Sequence, residues 1–155
     1  MRGSMTNNDI LRRLRYAFNY SNVQIAKIMQ HAGSEPSAEQ LSSWLKREDD
    51  PELVKFLDPE LCQFLDGLVI EKRGPRPDGS KPEVQQFIST NEILKKLRVA
   101  LSLREDGMME VFKNADFVVT KAELGSFFRK ESHAKFAKCP EQVLRKFIHG
   151  LGQQS

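Results

Sequence analysis

Apolar residues return every three or four positions along most of this chain, and strand-like alternation is scarce. Ile10, Leu11, Leu14, Ala17 and Phe18 form one such stripe, with Arg12 on the opposite face. Ile25, Ile28, Met29 and Ala32 form a second, Leu41, Trp44 and Leu45 a third, and Leu61, Phe64, Leu65 and Leu68 a fourth. A period near 3.6 residues is that of an amphipathic helix laying one face on a core. The only strand-like run, Phe117 to Val119, is too short to count. The pattern predicts an all-α protein.

The whole pattern then repeats. Shifting the chain by 83 residues lays "NDILRRLRYAF" (Asn8–Phe18) on "NEILKKLRVAL" (Asn91–Leu101), and 15 of 67 positions from about Thr6 to Lys72 coincide without a gap. The later stripes match too: Met108, Val111, Phe112 and Ala115; Leu124, Phe127 and Phe128; Leu144, Phe147, Ile148 and Leu151. Start signals agree with the count. Ser37-x-x-Gln40 and Thr120-x-x-Glu123 are capping boxes at the same offset, Ser89-x-x-Glu92 is another, and Asp58-Pro59 joins an N-cap residue to a first-turn proline. Gly33 reads as a helix stop after Ala32. We therefore expect two tandem homologous units of four to five helices each, over residues 6–73 and 89–152, related by pseudo-symmetry. Residues 74–88 form a linker, because "RGPRPDGSKPEV" (Arg73–Val84) has too much proline and glycine for a helix. A unit of this size buries a limited core, so the copies should share an interface. The opening Met1-Arg2-Gly3-Ser4, ahead of a second Met5, looks like an expression leader and, with Met5, stands outside the fold.

Composition adds little until it is divided. A hydrophobic content of 39% with 29% charged residues is that of a soluble globular chain, and no apolar run approaches the roughly 18 residues that span a bilayer. Two cysteines, Cys62 and Cys139, make neither a disulfide framework nor a metal knot, which points to the cytoplasm of a bacterium. The net charge of +3 is unevenly spread: residues 1–74 carry 10 basic and 11 acidic side chains (−1), residues 75–155 carry 14 and 10 (+4). That asymmetry points to an acidic partner for the second half.

Catalytic chemistry finds no footing. His31, His133 and His149 lack ligand spacing, and Cys139 before Pro140 reads as a buried thiol. The run Glu48-Asp49-Asp50 with Glu52 lacks the alternating ligands and central glycine of a calcium loop, and no glycine-rich phosphate loop occurs. We expect no enzyme, no metal and no cofactor.

Binding is the stronger expectation. "VQIAKIMQHAGSEPSAEQLSSWLKRE" (Val23–Glu48) reads helix, turn, helix. Its second helix offers Gln40 and Ser43 near the start and Lys46 and Arg47 at the end; the second copy offers Lys121, Ser126, Arg129 and Lys130. Short polar side chains followed by cations suit base edges and phosphates. Against this, the turn is long for a DNA-reading motif and Glu39 repels phosphate. Arg12, Arg13 and Arg15 match Lys95, Lys96 and Arg98, as one basic patch per unit or as helix-stabilising pairs Asp9/Arg13 and Glu92/Lys96. Arg15 and Arg98, identical in both copies, are expected to bond carbonyls at the end of a neighbouring helix. The expected partner is nucleic acid, held through helix-turn-helix-like pairs. The alternative is another protein or a second copy of this chain, in a homo-oligomeric adaptor.

The segments "NDILRRLRYAF", "LSSWLKRED", "FLDGLVIEKRG", "NEILKKLRVALSL" and "CPEQVLRKFIHGL" resemble the YehS-like bacterial proteins, built from a duplicated domain of unknown function. The resemblance covers Met5 to Gly152 and implies a cytoplasmic protein with no established activity and no catalytic residues to carry over. Proline stands two positions earlier at the last helix of the second copy than the offset requires, so that helix is expected to start differently.

Overall fold

The computed structural model describes residues 5–153, so the leader expected at Met1–Ser4 lies outside the described residues. Met5, expected to stand outside the fold with it, is instead buried in the core at 1% exposed. Among them are eight helices and no strand. The first four are α1 (Asn7–Phe18), α2 (Asn22–His31), α3 (Ala38–Trp44) and α4 (Asp58–Arg73); the second four are α5 (Thr90–Ala100), α6 (Glu105–Asn114), α7 (Lys121–Phe127) and α8 (Glu141–Gly152). Each helix starts 83 residues after its counterpart. The expected difference at the last helix is absent, since α4 and α8 start at equivalent positions. Pro59 sits in the first turn of α4 whereas Pro140 is the N-cap of α8, and proline's fixed φ and missing N–H suit both places. The difference lies at the other end, where α4 runs one turn further.

The caps follow the sequence. Thr6, Ser21, Ser37, Ser89 and Thr120 each accept from the third helical N–H. Asp58 departs from its expected role: Leu57 is the cap residue of α4 and its N–H is held by the Glu60 carboxylate at 2.8 Å. The Asp58 carboxylate instead accepts from Asn7 Nδ2 at 2.8 Å and from the Ile88 N–H at 3.1 Å, tying α4 to α1 and to the chain entering the second unit. Backbone conformation repeats with the same offset. Asn19 and Ser102 are both left-handed (φ 55° and 53°), as are Gly33 and Asp116 (φ 87° and 52°), each ending a helix.

Two close approaches set the architecture of each unit. A Cβ on Gly67 would stand 2.0 Å from the carbonyl oxygen of Ile28, and a Cβ on Gly150 would stand 2.0 Å from that of Val111. Glycine is therefore what lets α4 lie against α2, and α8 against α6. The units interlock through the same helices: besides packing on α2, α4 packs on α5, and α8 packs on α1, each more extensively than α4 packs on its own α1 or α8 on its own α5. Each unit thus lends its last helix to the first helix of the other, around a pseudo-two-fold axis. One continuous core results, running from Ile10, Leu14 and Trp44 through Phe64 and Leu65 to Ile93, Leu97, Phe112 and Phe147.

Candidate functional site

At the heart of each unit a buried asparagine splices three segments. Asn8 Nδ2 donates to the carbonyls of Trp44 and Val54, both at 2.9 Å, while its Oδ1 accepts from the Phe56 N–H at 3.0 Å. Asn91 donates to Phe127 (3.0 Å) and Ala137 (2.9 Å) and accepts from Cys139 (2.9 Å). These bonds fix the chain after α3 and α7 against the starts of α1 and α5, and so place the basic residues that follow each short helix.

The proposed reading face does not act as one surface. Ser43 Oγ donates back to the Gln40 carbonyl at 2.7 Å and Ser126 Oγ to that of Glu123 at 2.5 Å, so both hydroxyls are spent on their own helix. Gln40 and Arg47 are exposed, while Lys46 is half-buried and its carbonyl accepts from Arg12 Nη1 at 2.7 Å. Lys121, at the start of α7, lines an apolar groove with Met109, Phe117 and Val118. Arg129 and Lys130 line a different recess, with Lys95. The eight residues therefore separate: Arg129 and Lys130 join new neighbours, and the others do not converge with them.

Those neighbours come from the basic clusters on the first helices. In the first unit Arg12 and Arg13 are neutralised. Arg13 pairs with Asp9 at 2.9 Å, as the i,i+4 spacing predicts, and Arg12 reaches Glu48 at 3.1 Å and Asp9 at 3.5 Å. Glu48 also accepts from Thr6 Oγ1 at 2.6 Å. In the second unit the Glu92–Lys96 pair does not form. Lys96 Nζ crosses instead to Asp66 Oδ1 on α4 at 2.5 Å, and Asp66, 6% exposed, is also reached by Cys62 Sγ at 3.3 Å. Glu92 accepts from Gln85 Nε2 (2.8 Å) and from Ser89 N and Oγ (both 3.1 Å). Burial penalises the Glu92 carboxylate, but these bonds and nearby Lys96 outweigh it and hold its pKa below the ordinary value. Among the described residues, Lys95, Arg129, Lys130 and Glu131 form no ion pair or side-chain hydrogen bond.

Two recesses adjoin over α5. One, of about 220 Å³, is lined by Phe127, Phe128, Phe136, Lys95, Arg129 and Lys130. The other, of about 780 Å³, lies between α4, α5 and the proline-rich linker, with Arg73, Arg76, Lys95 and Lys96 on its walls. Both include Glu92 and Lys95. Six cations thus bound one continuous face of the second unit. The pseudo-equivalent groove between α1 and α8 is smaller, about 220 Å³, and presents Arg12, Arg13, Asp9 and His149. Arg73 and Arg76 stood outside the residues weighed for binding, while Lys95 and Lys96 were weighed as a basic patch or as helix-stabilising charges and not counted among the expected contacts. The clue to them was the charge difference between the halves together with the change from Arg12 to Lys95 at matched positions.

The remaining chemistry-bearing side chains hold structure. Arg98 Nε donates to the Leu103 carbonyl (3.1 Å) in the turn after its own helix, and its guanidinium lies 4.6 Å from the Phe128 ring centroid. The bond runs to that turn rather than to a neighbouring helix, and exposed Arg15 makes no counterpart of it, so the matched pair does not share one task. His31 pairs with Glu71 at 2.8 Å and His133 Nδ1 accepts from the Lys135 N–H. Cys139 is buried, and desolvation pushes its thiol up to about 12; burial also raises Cys62, helped by Asp66. Neither is a thiolate at neutral pH. No group of three or more potential metal ligands occurs among the described residues. None of their helices is long and apolar enough to cross a membrane.

Fold and site together define a class: an all-α protein made of two interlocked copies of one four-helix unit, with a basic face on the second. The chain belongs to the family described as "Protein of unknown function (DUF1456)", which matches twice, over residues 7–74 and 90–155. It is 36% identical over 147 residues to the "Uncharacterized protein YehS" of Escherichia coli (strain K12), a match covering 95% of this chain and 94% of that protein. No solved structure matches.

Proposed function

We propose that this protein is a non-enzymatic binder of nucleic acid that grips the sugar-phosphate backbone with the basic face of its second unit. The observation that carries this reading is the junction at Lys95, where two adjoining recesses bring Lys95, Arg129 and Lys130 together with Arg73 and Arg76. Unpaired cations on one face gain most from meeting phosphates, because each contact releases a condensed counterion. Base reading by α3 and α7 has less support, since Ser43 and Ser126 are turned inward. Two unpaired cysteines go with a cytoplasmic setting.

Titrating the full chain into a labelled oligonucleotide across a salt series tests the reading. Affinity should fall linearly in log–log form, and Lys95→Glu with Arg129→Glu should flatten the slope by about one per cation removed. Lys27→Glu, on the exposed face of α2, should leave binding unchanged. Salt-insensitive binding, or none, overturns it. A protein partner is the second reading, favoured by the groove along α6 where Val118 stands 89% exposed beside Met109 and Phe117.

A further inference from the structure

The two units are copies, so each serves as a control for the other, and at one place they differ in a way that bears on the ligand. The first unit keeps a recess of about 530 Å³, lined by Thr6, Asn8, Glu48 and Leu53 and by no aromatic ring, but the gap between α1 and the segment after α3 is bridged. Arg12 spans it, bonding the Lys46 carbonyl (2.7 Å) and Glu48 (3.1 Å), and Thr6 completes the bridge through Glu48 (2.6 Å). In the second unit the matched residues are Lys95, Arg129, Glu131 and Ser89. Lysine has no planar fork to hold a carbonyl and a carboxylate together. Ser89 turns to Glu92 instead, and Glu131 is left exposed without a partner. The result is an open recess of about 220 Å³ walled by Phe127, Phe128 and Phe136 and rimmed by three unpaired cations, with the carboxylates of Glu92 and Glu131 also on its lining. Phe128 and Phe136 are half-buried, so part of each ring is accessible.

We propose that the ligand of this face is a single strand rather than a duplex. An unpaired base enters the recess against Phe128 and Phe136, and its flanking phosphates rest on Lys95, Arg129 and Lys130. This deepens the nucleic-acid reading above and rests on it. The recess is concave and aromatic, with room for roughly seven waters at about 30 Å³ each. In a duplex the bases are paired and stacked and cannot enter such a recess. In a single strand they splay out and stack on aromatic side chains while cations track the backbone. Arg98, lying on Phe128 at 4.6 Å, holds that ring in place from the protein side.

The test uses the full chain and three labelled probes of one length: a mixed-sequence single strand, its duplex, and an abasic strand carrying only sugar and phosphate. The single strand should bind at least about tenfold more tightly than the abasic strand, since base–aromatic stacking is worth roughly five- to a hundredfold per base. It should also exceed the duplex. Lys95→Arg supplies a second readout, because it keeps the charge but restores the residue that bridges this gap in the first unit. It should bring the base-bearing strand down toward the abasic level. Duplex binding as tight as single-strand binding, an abasic strand that binds equally well, or an unchanged preference for bases in Lys95→Arg each overturns the single-strand assignment while leaving backbone binding in place. Loss of salt-sensitive binding to all three probes overturns the nucleic-acid reading itself.

Discussion

Asn8 and Asn91 hold the same three backbone groups in their respective units, two carbonyls and one N–H, at distances matching to within 0.1 Å (2.9, 2.9 and 3.0 against 3.0, 2.9 and 2.9). Both are buried, at 3% and 8% exposed. Truncating either to alanine leaves buried groups unpaired, at about 1–3 kcal/mol each. We expect Asn8→Ala and Asn91→Ala each to destabilise by about 3 kcal/mol or more, measured by urea unfolding. Asparagine to aspartate should be no rescue, because it sets a carboxylate against two carbonyls. A loss below about 1 kcal/mol contradicts the splice, being no more than one ordinary hydrogen bond.

Gly67 and Gly150 lead to a second expectation. An added methyl at either position meets a backbone carbonyl that no side-chain rotation can move aside. Gly67→Ala and Gly150→Ala should therefore destabilise by about 3 kcal/mol, at the upper end of overpacking costs, although alanine is the better helix former by about 1 kcal/mol. Gly125→Ala in α7, where the added Cβ meets nothing within 4 Å, is the control and should stabilise slightly. Thermal melts of the three variants decide it.

Helix positions and the duplication were legible because they rest on local rules: the 3.6-residue stripe, hydroxyl caps, and proline and glycine as punctuation. Gly67 and Gly150 also matched at the offset, but their reason, a carbonyl 2.0 Å from an added Cβ, lies in the packing of a helix more than thirty residues away. The candidate site was legible only in part. Arg129 and Lys130 stood out as cations after a short helix, but their convergence with Lys95 depends on the Asn91 splice, a contact between residues 36 and 46 apart. The choice of Lys96 for Asp66 over Glu92 depends on how the units cross, which no periodicity encodes.

The pH dependence centres on Glu92. Burial raises its pKa, but the bonds from Gln85 and Ser89 and the charge of Lys96 outweigh burial and place it below the ordinary 4.5. A depressed carboxylate contributes stability above its unfolded pKa, and that contribution disappears as pH falls through the lower folded value. Wild type should therefore exceed Glu92→Gln in urea midpoint at neutral pH. The gap should shrink steadily below about pH 4.5 and close under strong acid. A gap independent of pH assigns the residue's role to packing or to the cap alone.

The interlocked helices make a stronger demand on the fold. Because α4 packs on α5 and α8 on α1 far more than either packs on the first helix of its own unit, a single unit made alone exposes apolar faces of its first and last helices. It can cover them only by pairing with a second copy of itself, α4 on α1 twice over. The charges tell which unit does so more readily. Where Asp66 meets Lys96 in the intact chain, a dimer of the first unit sets Asp66 against Arg13, the residue matched to Lys96. A dimer of the second unit sets His149, matched to Asp66, against Lys96, with no carboxylate at that position across the contact. Residues 5–74 should therefore sediment as a helical dimer at micromolar concentration, and residues 88–153 should associate more weakly and unfold at lower denaturant. Asp66→Lys should split the first-unit dimer by placing like charges at both contacts. A compact, fully helical monomer from residues 5–74 contradicts the exchange of last helices on which the shared core depends.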